Sequence, residues 1–67
     1  MNTFPYDEST ELLMVRLFNS LSEKDQRHYS SVEAAKLSHG GIKYICELFG
    51  LDRKTIQTGL EELKKMT

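Results

Sequence analysis

The chain has 67 residues, a length that suits one domain with a thin core. Its 39% hydrophobic residues, with three Phe and three Tyr, suffice for a compact helical unit, while a net charge of -1 speaks against strong unaided attraction to phosphate. A lone Cys46 excludes an internal disulfide, no apolar stretch approaches membrane-spanning length and no signal peptide is visible, so a reducing cytoplasmic setting without a membrane partner is expected.

Residues 1–7 read as a flexible N-terminal arm whose Phe4 and Tyr6 can tuck back onto the body, and residues 8–67 as one helical domain. Ser9 is the expected cap of a first helix. Leu12, Leu13, Leu17 and Leu21 follow at helical spacing, and Phe18 widens the stripe. The stripe reads as core, with a homodimer seam as the alternative.

Ser22-Glu-Lys-Asp places an acid three residues after a Ser, which predicts the start of a second helix. Glu23 and Asp25 in its first turn suit the helix dipole. This helix is expected to run to about Ser38. Its buried side is read as Tyr29, Val32, Ala34 or Ala35, and Leu37. His39-Gly40-Gly41 ends it, because glycine tolerates positive φ at a helix end.

A third helix is expected over Ile42 to Phe49, with Gly50 as the turn. Asp52 is placed to cap a fourth helix from Arg53 to about Lys65, with Ile56, Leu60 and Leu63 on its apolar side. The fold class is therefore all-α: a small four-helix domain ending in a helix-turn-helix, with a homeodomain-like or winged-helix-like three-helix core and no clear wing.

The stretch from Ile42 to Leu60 matches the helix-turn-helix pattern position by position. Counting Ile42 as the first position, the fourth, eighth and tenth are apolar (Ile45, Phe49, Leu51), the fifth is small (Cys46), the ninth is Gly50 and the fifteenth is Ile56. A small residue at the fifth position lets the helices cross closely, and Gly50 can take a left-handed turn. Gly59 departs from the usual apolar eighteenth position. Close packing against another helix and local flexibility both explain it.

In such a motif Arg53 to Thr58 form the front of a recognition helix in the major groove. Arg53 and Lys54 suit phosphates or guanine edges. Thr55 and Thr58 suit a phosphate or a thymine methyl group, and Gln57 suits adenine through its paired amide bonds. Lys43 and Tyr44 are placed for the DNA backbone. Charge is distributed accordingly. Residues 1–35 carry Arg16, Lys24 and Arg27 against Asp7, Glu8, Glu11, Glu23, Asp25 and Glu33, a sum of -3. Residues 36–67 carry Lys36, Lys43, Arg53, Lys54, Lys64 and Lys65 against Glu47, Asp52, Glu61 and Glu62, a sum of +2. Read without a motif, Arg53 and Lys54 are solvated charge, Gln57 is an indifferent surface residue and Cys46 is packing. No phosphate loop, Ser-His-Asp order or paired carboxylates are recognisable, and His28, His39 and Cys46 form no ligand set. No catalysis, metal or cofactor is expected.

The runs Leu21-Ser-Glu-Lys-Asp-Gln-Arg-His-Tyr, Glu33-Ala-Ala-Lys-Leu-Ser-His-Gly-Gly-Ile, Arg53-Lys-Thr-Ile and Gly59-Leu-Glu-Glu-Leu resemble the N-terminal region of the Rhodopirellula-type bacterial transposases with a DDE domain. The resemblance covers about Phe18 to Leu63. It implies a helical domain that recognises the ends of a mobile element, partnered by double-stranded DNA near the bacterial nucleoid. A metal-dependent RNase H-like domain would lie further on, so the recognition half alone is implied, as an excised domain or a relic. The family pattern carries over at Arg53, Lys54, Thr55, Ile56, Gly59 and Leu60, and it makes Gly59 a usual residue. Members tend to have Ser where Asp52 stands and basic residues where Gln57 and Thr58 stand, so this contact face is the less positive one. A helix-turn-helix transcriptional regulator fragment, and a helical protein-interaction or dimerisation module that does not bind DNA, are the alternatives.

Overall fold

The computed structural model describes residues 5–66. These form four helices: α1 (Glu8–Ser20), α2 (Glu23–Leu37), α3 (Gly41–Phe49) and α4 (Arg53–Lys64). No strand occurs among the described residues, and no helix there is long and apolar enough to cross a membrane. The chain is thus all-α, as its periodicity predicts.

Local chemistry sets the helix ends. Ser22 Oγ accepts a hydrogen bond from the Asp25 amide at 3.2 Å, and Asp52 Oδ1 accepts from the Thr55 amide at 3.0 Å. α1 is the exception to the expected caps. Its cap is Asp7, whose carboxylate accepts from the Thr10 amide at 2.9 Å, and not Ser9. Ser9 lies inside the first turn and donates to the same carboxylate at 3.3 Å. Asp7 competes better because its ionised oxygen is the stronger acceptor. Of the expected arm, Tyr6 rests against the core cluster and its hydroxyl donates to Glu33 Oε1 at 3.3 Å. Phe4, also expected to tuck back, and Thr67, the expected end of the domain, lie outside the described residues.

The turn between α2 and α3 differs from expectation. Ser38 and Gly40 take the positive φ values, 52° and 78°. Gly41 opens α3 one residue early and is buried, because a Cβ there would stand 2.4 Å from the Ala34 carbonyl oxygen. It is the approach of α3 to α2, rather than a left-handed turn, that demands this glycine.

The core is built from Met14, Ala34, Ile45 and Ile56, with Phe49, Leu51, Leu60 and Cys46 packed around them. The expected inter-helix set of Ile45, Phe49, Leu51 and Ile56 is present, and Ile45 and Ile56 are fully buried. The buried stripe of α2 shares only Ala34 with the expected one. It consists of Ser30, Ser31 and Ala34, whereas Ala35 is exposed, Val32 is 46% exposed, and Tyr29 and Leu37 are half-buried. The cause is the closeness of α3 and α4, which leaves room only for small side chains. The two Ser hydroxyls are not orphaned: they donate to the Gln26 and Arg27 carbonyls one turn back, at 2.7 and 2.8 Å.

Three leucines of the expected α1 stripe are not core, and Leu21, just past the helix end, is half-buried. Leu12, Leu13 and Leu17 are 50%, 65% and 47% exposed. Phe18, the expected widening of the stripe, is buried, and so is Met14, which the stripe does not include; Phe18 stacks on Phe49 with ring centres 4.4 Å apart and planes 10° from parallel. Adjacent residues differ by about 100° around a helix. The row through Leu13 and Leu17 therefore lies one residue's rotation away from the row that α3 covers.

Candidate nucleic-acid interface

α3 and α4 are joined by Gly50, Leu51 and Asp52 alone. Gly50 takes φ 71°, and the Leu51 amide closes the turn on the Cys46 carbonyl at 2.9 Å. Cys46 is half-buried beside this turn. Burial pushes its thiol pKa up, with nearby Arg53 pulling the other way, so the packing role fits and a reactive thiolate does not.

The inner side of α4 presents Ile56 and Gly59, both buried. A Cβ at Gly59 would meet Ser31 Oγ at 2.1 Å and the Arg27 carbonyl oxygen at 2.8 Å. Of the two explanations for this glycine, close packing is the one the fold displays. Ser31 Oγ also lies 3.0 Å from the Ile56 carbonyl oxygen, so a buried hydroxyl links the backbones of α2 and α4. Further along, Arg27 grips Glu62 through Nε at 2.8 Å and Nη2 at 3.2 Å, and His28 Nε2 meets the same carboxylate at 2.9 Å. Arg27 first, and then His28, hold the Glu62 carboxyl below its ordinary range. α4 is thereby held along its length with one face turned outward.

That outward face carries Arg53, Lys54, Gln57, Thr58, Glu61, Lys64 and Lys65, all exposed. Four bases oppose one acid. The helix-turn-helix pattern does not mark Lys64 and Lys65, although helical periodicity from Gln57 and Thr58 through Glu61 leads to them. Thr55 is half-buried, and its hydroxyl donates to Asp52 Oδ1 at 2.9 Å. Lys43 is exposed in the first turn of α3. Tyr44 is half-buried, and its hydroxyl donates to the Glu11 carboxylate of α1. The fold thus ties this expected backbone contact to an internal acid. Burial first, and Glu11 second, raise the Tyr44 pKa well above the usual phenol value.

Lys54, Thr55 and Thr58 come together in an open cleft of about 340 Å³, completed by Leu51, Asp52 and the α2 residues Glu23, Gln26 and Arg27. No sequence signal joins Gln26 and Arg27 to this site, since only the α2–α4 packing does so. Gln26 is itself committed, donating to the Phe18 carbonyl at 2.9 Å. The electrostatics are mixed. Asp52 receives two bonds from Thr55, which lower its pKa and keep it ionised at the head of α4. A carboxylate there cancels part of the positive end of the helix dipole, so the tip of α4 is a poor anion site and its flank is the better one. Among the described residues no group of three or more His, Cys, Asp or Glu could hold a metal ion. Comparison with protein-family models, curated proteins and solved structures finds no match to this chain.

Proposed function

We propose that this chain is a DNA-binding domain that reads double-stranded DNA with α4 in the major groove, and that it serves as the element-end recognition part of a transposase. The observation that carries the reading is the two-sidedness of α4. Ile56 and Gly59 seal its inner side, and Arg53, Lys54, Gln57 and Thr58 stand exposed on the other, after a three-residue turn from α3. The transposase assignment rests on the sequence resemblance from Phe18 to Leu63. Catalysis would belong to another domain, and the setting would be the bacterial nucleoid.

In this reading Arg53, Lys54 and Lys43 neutralise phosphates, Gln57 reads adenine, Thr58 adds a phosphate or methyl contact, and Thr55, whose hydroxyl is held by Asp52, offers its methyl group. The modest positive charge makes binding weak and dependent on low salt.

Titration of a labelled duplex against salt tests the proposal. The logarithm of the binding constant should fall linearly with the logarithm of salt concentration. Arg53→Ala and Lys54→Ala should each reduce that slope by about one and weaken binding to every sequence. Gln57→Ala should relax one base position, at a cost of about 1–3 kcal/mol on the preferred site. Absence of binding at low salt, or binding indifferent to salt, would overturn the DNA reading. Site selection should return sequences from the ends of a mobile element, and its source locus should encode three spaced acids downstream. A selected site with no such locus would leave a regulator and sink the transposase assignment.

A further inference from the structure

The outer side of α1 is unlike that of α4. Residues four apart form one row along a helix. Two such rows face outward, Glu8–Leu12–Arg16 and Ser9–Leu13–Leu17, and all six residues are exposed. The first row has an acid at its N-terminal end, a leucine in the middle and a base at its C-terminal end. Among the described residues neither Glu8 nor Arg16 belongs to an ion pair.

Such a row is complementary to itself when reversed. A two-fold axis at Leu12 would set Leu12 of one copy on Leu12 of the other. It would also bring Glu8 of each copy against Arg16 of its mate, with Leu13 and Leu17 closing one flank. A parallel pairing would instead oppose Glu8 to Glu8 and Arg16 to Arg16. Reversed helix dipoles favour the antiparallel arrangement as well. α1 packs on α2 and α3 and makes no contact with α4. A copy seated on α1 therefore does not need to cover α4.

We infer that α1 is an antiparallel homodimer seam, centred on Leu12 and oriented by Glu8 and Arg16. Residue i of one copy meets residue j of the other and the reverse, the self-complementary form that a two-fold interface requires. The seam is short. Thirteen residues of helix span roughly 20 Å at about 1.5 Å per residue, so the buried area falls below the roughly 1,200 Å² of stable interfaces. The isolated chain is thus a weak dimer.

Sedimentation equilibrium of the whole chain, without DNA, tests this independently of the proposed function. At low salt the mass should rise from 7.7 kDa toward twice that value between about 10 μM and about 1 mM protein. Glu8→Arg and Arg16→Glu should each hold the chain at monomer mass. The double variant carrying both changes should recover the dimer, because the exchanged charges again face each other only in the antiparallel register. Leu12→Ser should abolish association while the helical circular dichroism stays unchanged. A wild-type monomer at about 1 mM would overturn the inference. So would a dimer that survives Leu12→Ser, or a folded double variant that stays monomeric.

Discussion

The body of the domain is held together in two ways. α3 and α4 approach α2 through glycines, with Gly41 against the Ala34 carbonyl and Gly59 against Ser31 and the Arg27 carbonyl. α1 attaches through large side chains, Met14 in the core and Phe18 stacked on Phe49, and leaves three leucines in solvent. Near helices are selected for small residues, and the far one for bulk. Hydrophobicity alone therefore mislocates the interior at both places. It overrates Leu12, Leu13, Leu17 and Val32, and it overlooks Ser30 and Ser31.

The largest test of this contrast removes the bulk. Phe18→Ala should cost about 3 kcal/mol through the lost ring and the cavity beneath it. A small domain has total stability of only about 5 kcal/mol, so urea unfolding of the variant should begin near zero denaturant. A loss under about 1 kcal/mol would mean that α1 is not anchored by the stack.

The next test adds bulk where none fits. Gly41→Ala and Gly59→Ala should each cost about 2 kcal/mol by urea titration. They should differ in rescue. Ser31→Ala removes the nearest obstacle to a Cβ at Gly59 and should recover part of that loss. It should leave the Gly41→Ala loss intact, because the obstacle there is the Ala34 carbonyl oxygen. Equal rescue of both would show that the loss at Gly59 does not come from its contact with Ser31, and a gain in stability, the sign that helix propensity gives, would show that contact does not demand these glycines.

A smaller effect probes the ion pairs that join α2 to α4. The Glu62 carboxyl is held below its ordinary value of 4.5, so its contribution is present above that value and is lost as pH falls through the lower folded one. Glu62→Gln should therefore lower Tm at pH 7, and the gap from wild type should close as pH falls below 4.5 and through the lower folded value. A gap that persists in acid would assign the loss to packing. Smallest of all, Leu13→Ser at low protein concentration should change stability by less than about 0.5 kcal/mol.

Much of the fold was legible because helix ends are local events. Ser22, Gly50 and Asp52 each act on a neighbour within a few residues, and each stands where its residue type predicts. The α1 cap lies two residues before Ser9 because Asp7 and Ser9 both qualify by residue type and the ionised Asp7 carboxylate is the stronger acceptor. The exposed flank of α4 followed from the 3.6-residue period around Ile56, which put Arg53, Lys54, Gln57 and Thr58 outside. Tyr44 could not be read that way. Its partner, Glu11, is 33 residues away, and only the packing of α1 on α3 brings the two together. Gly59 was legible as an irregularity, but its reason lay in Ser31 and Arg27 on another helix.

The bond between Tyr44 and Glu11 gives the molecule a built-in optical reporter. The chain has no Trp, so its near-ultraviolet signal comes mainly from three tyrosines. Tyr44 is raised above the ordinary phenol range chiefly by burial and then by Glu11, and the favourable contribution of this half-buried phenol is lost as pH climbs through its folded value. While α1 stays docked, Tyr44 should ionise after an exposed phenol does. Once α1 lifts away, its phenolate absorbance should appear at ordinary alkaline pH. Burial also raises Tyr29, so a Tyr44→Phe variant would separate the two late phenols and identify the step that reports α1 undocking.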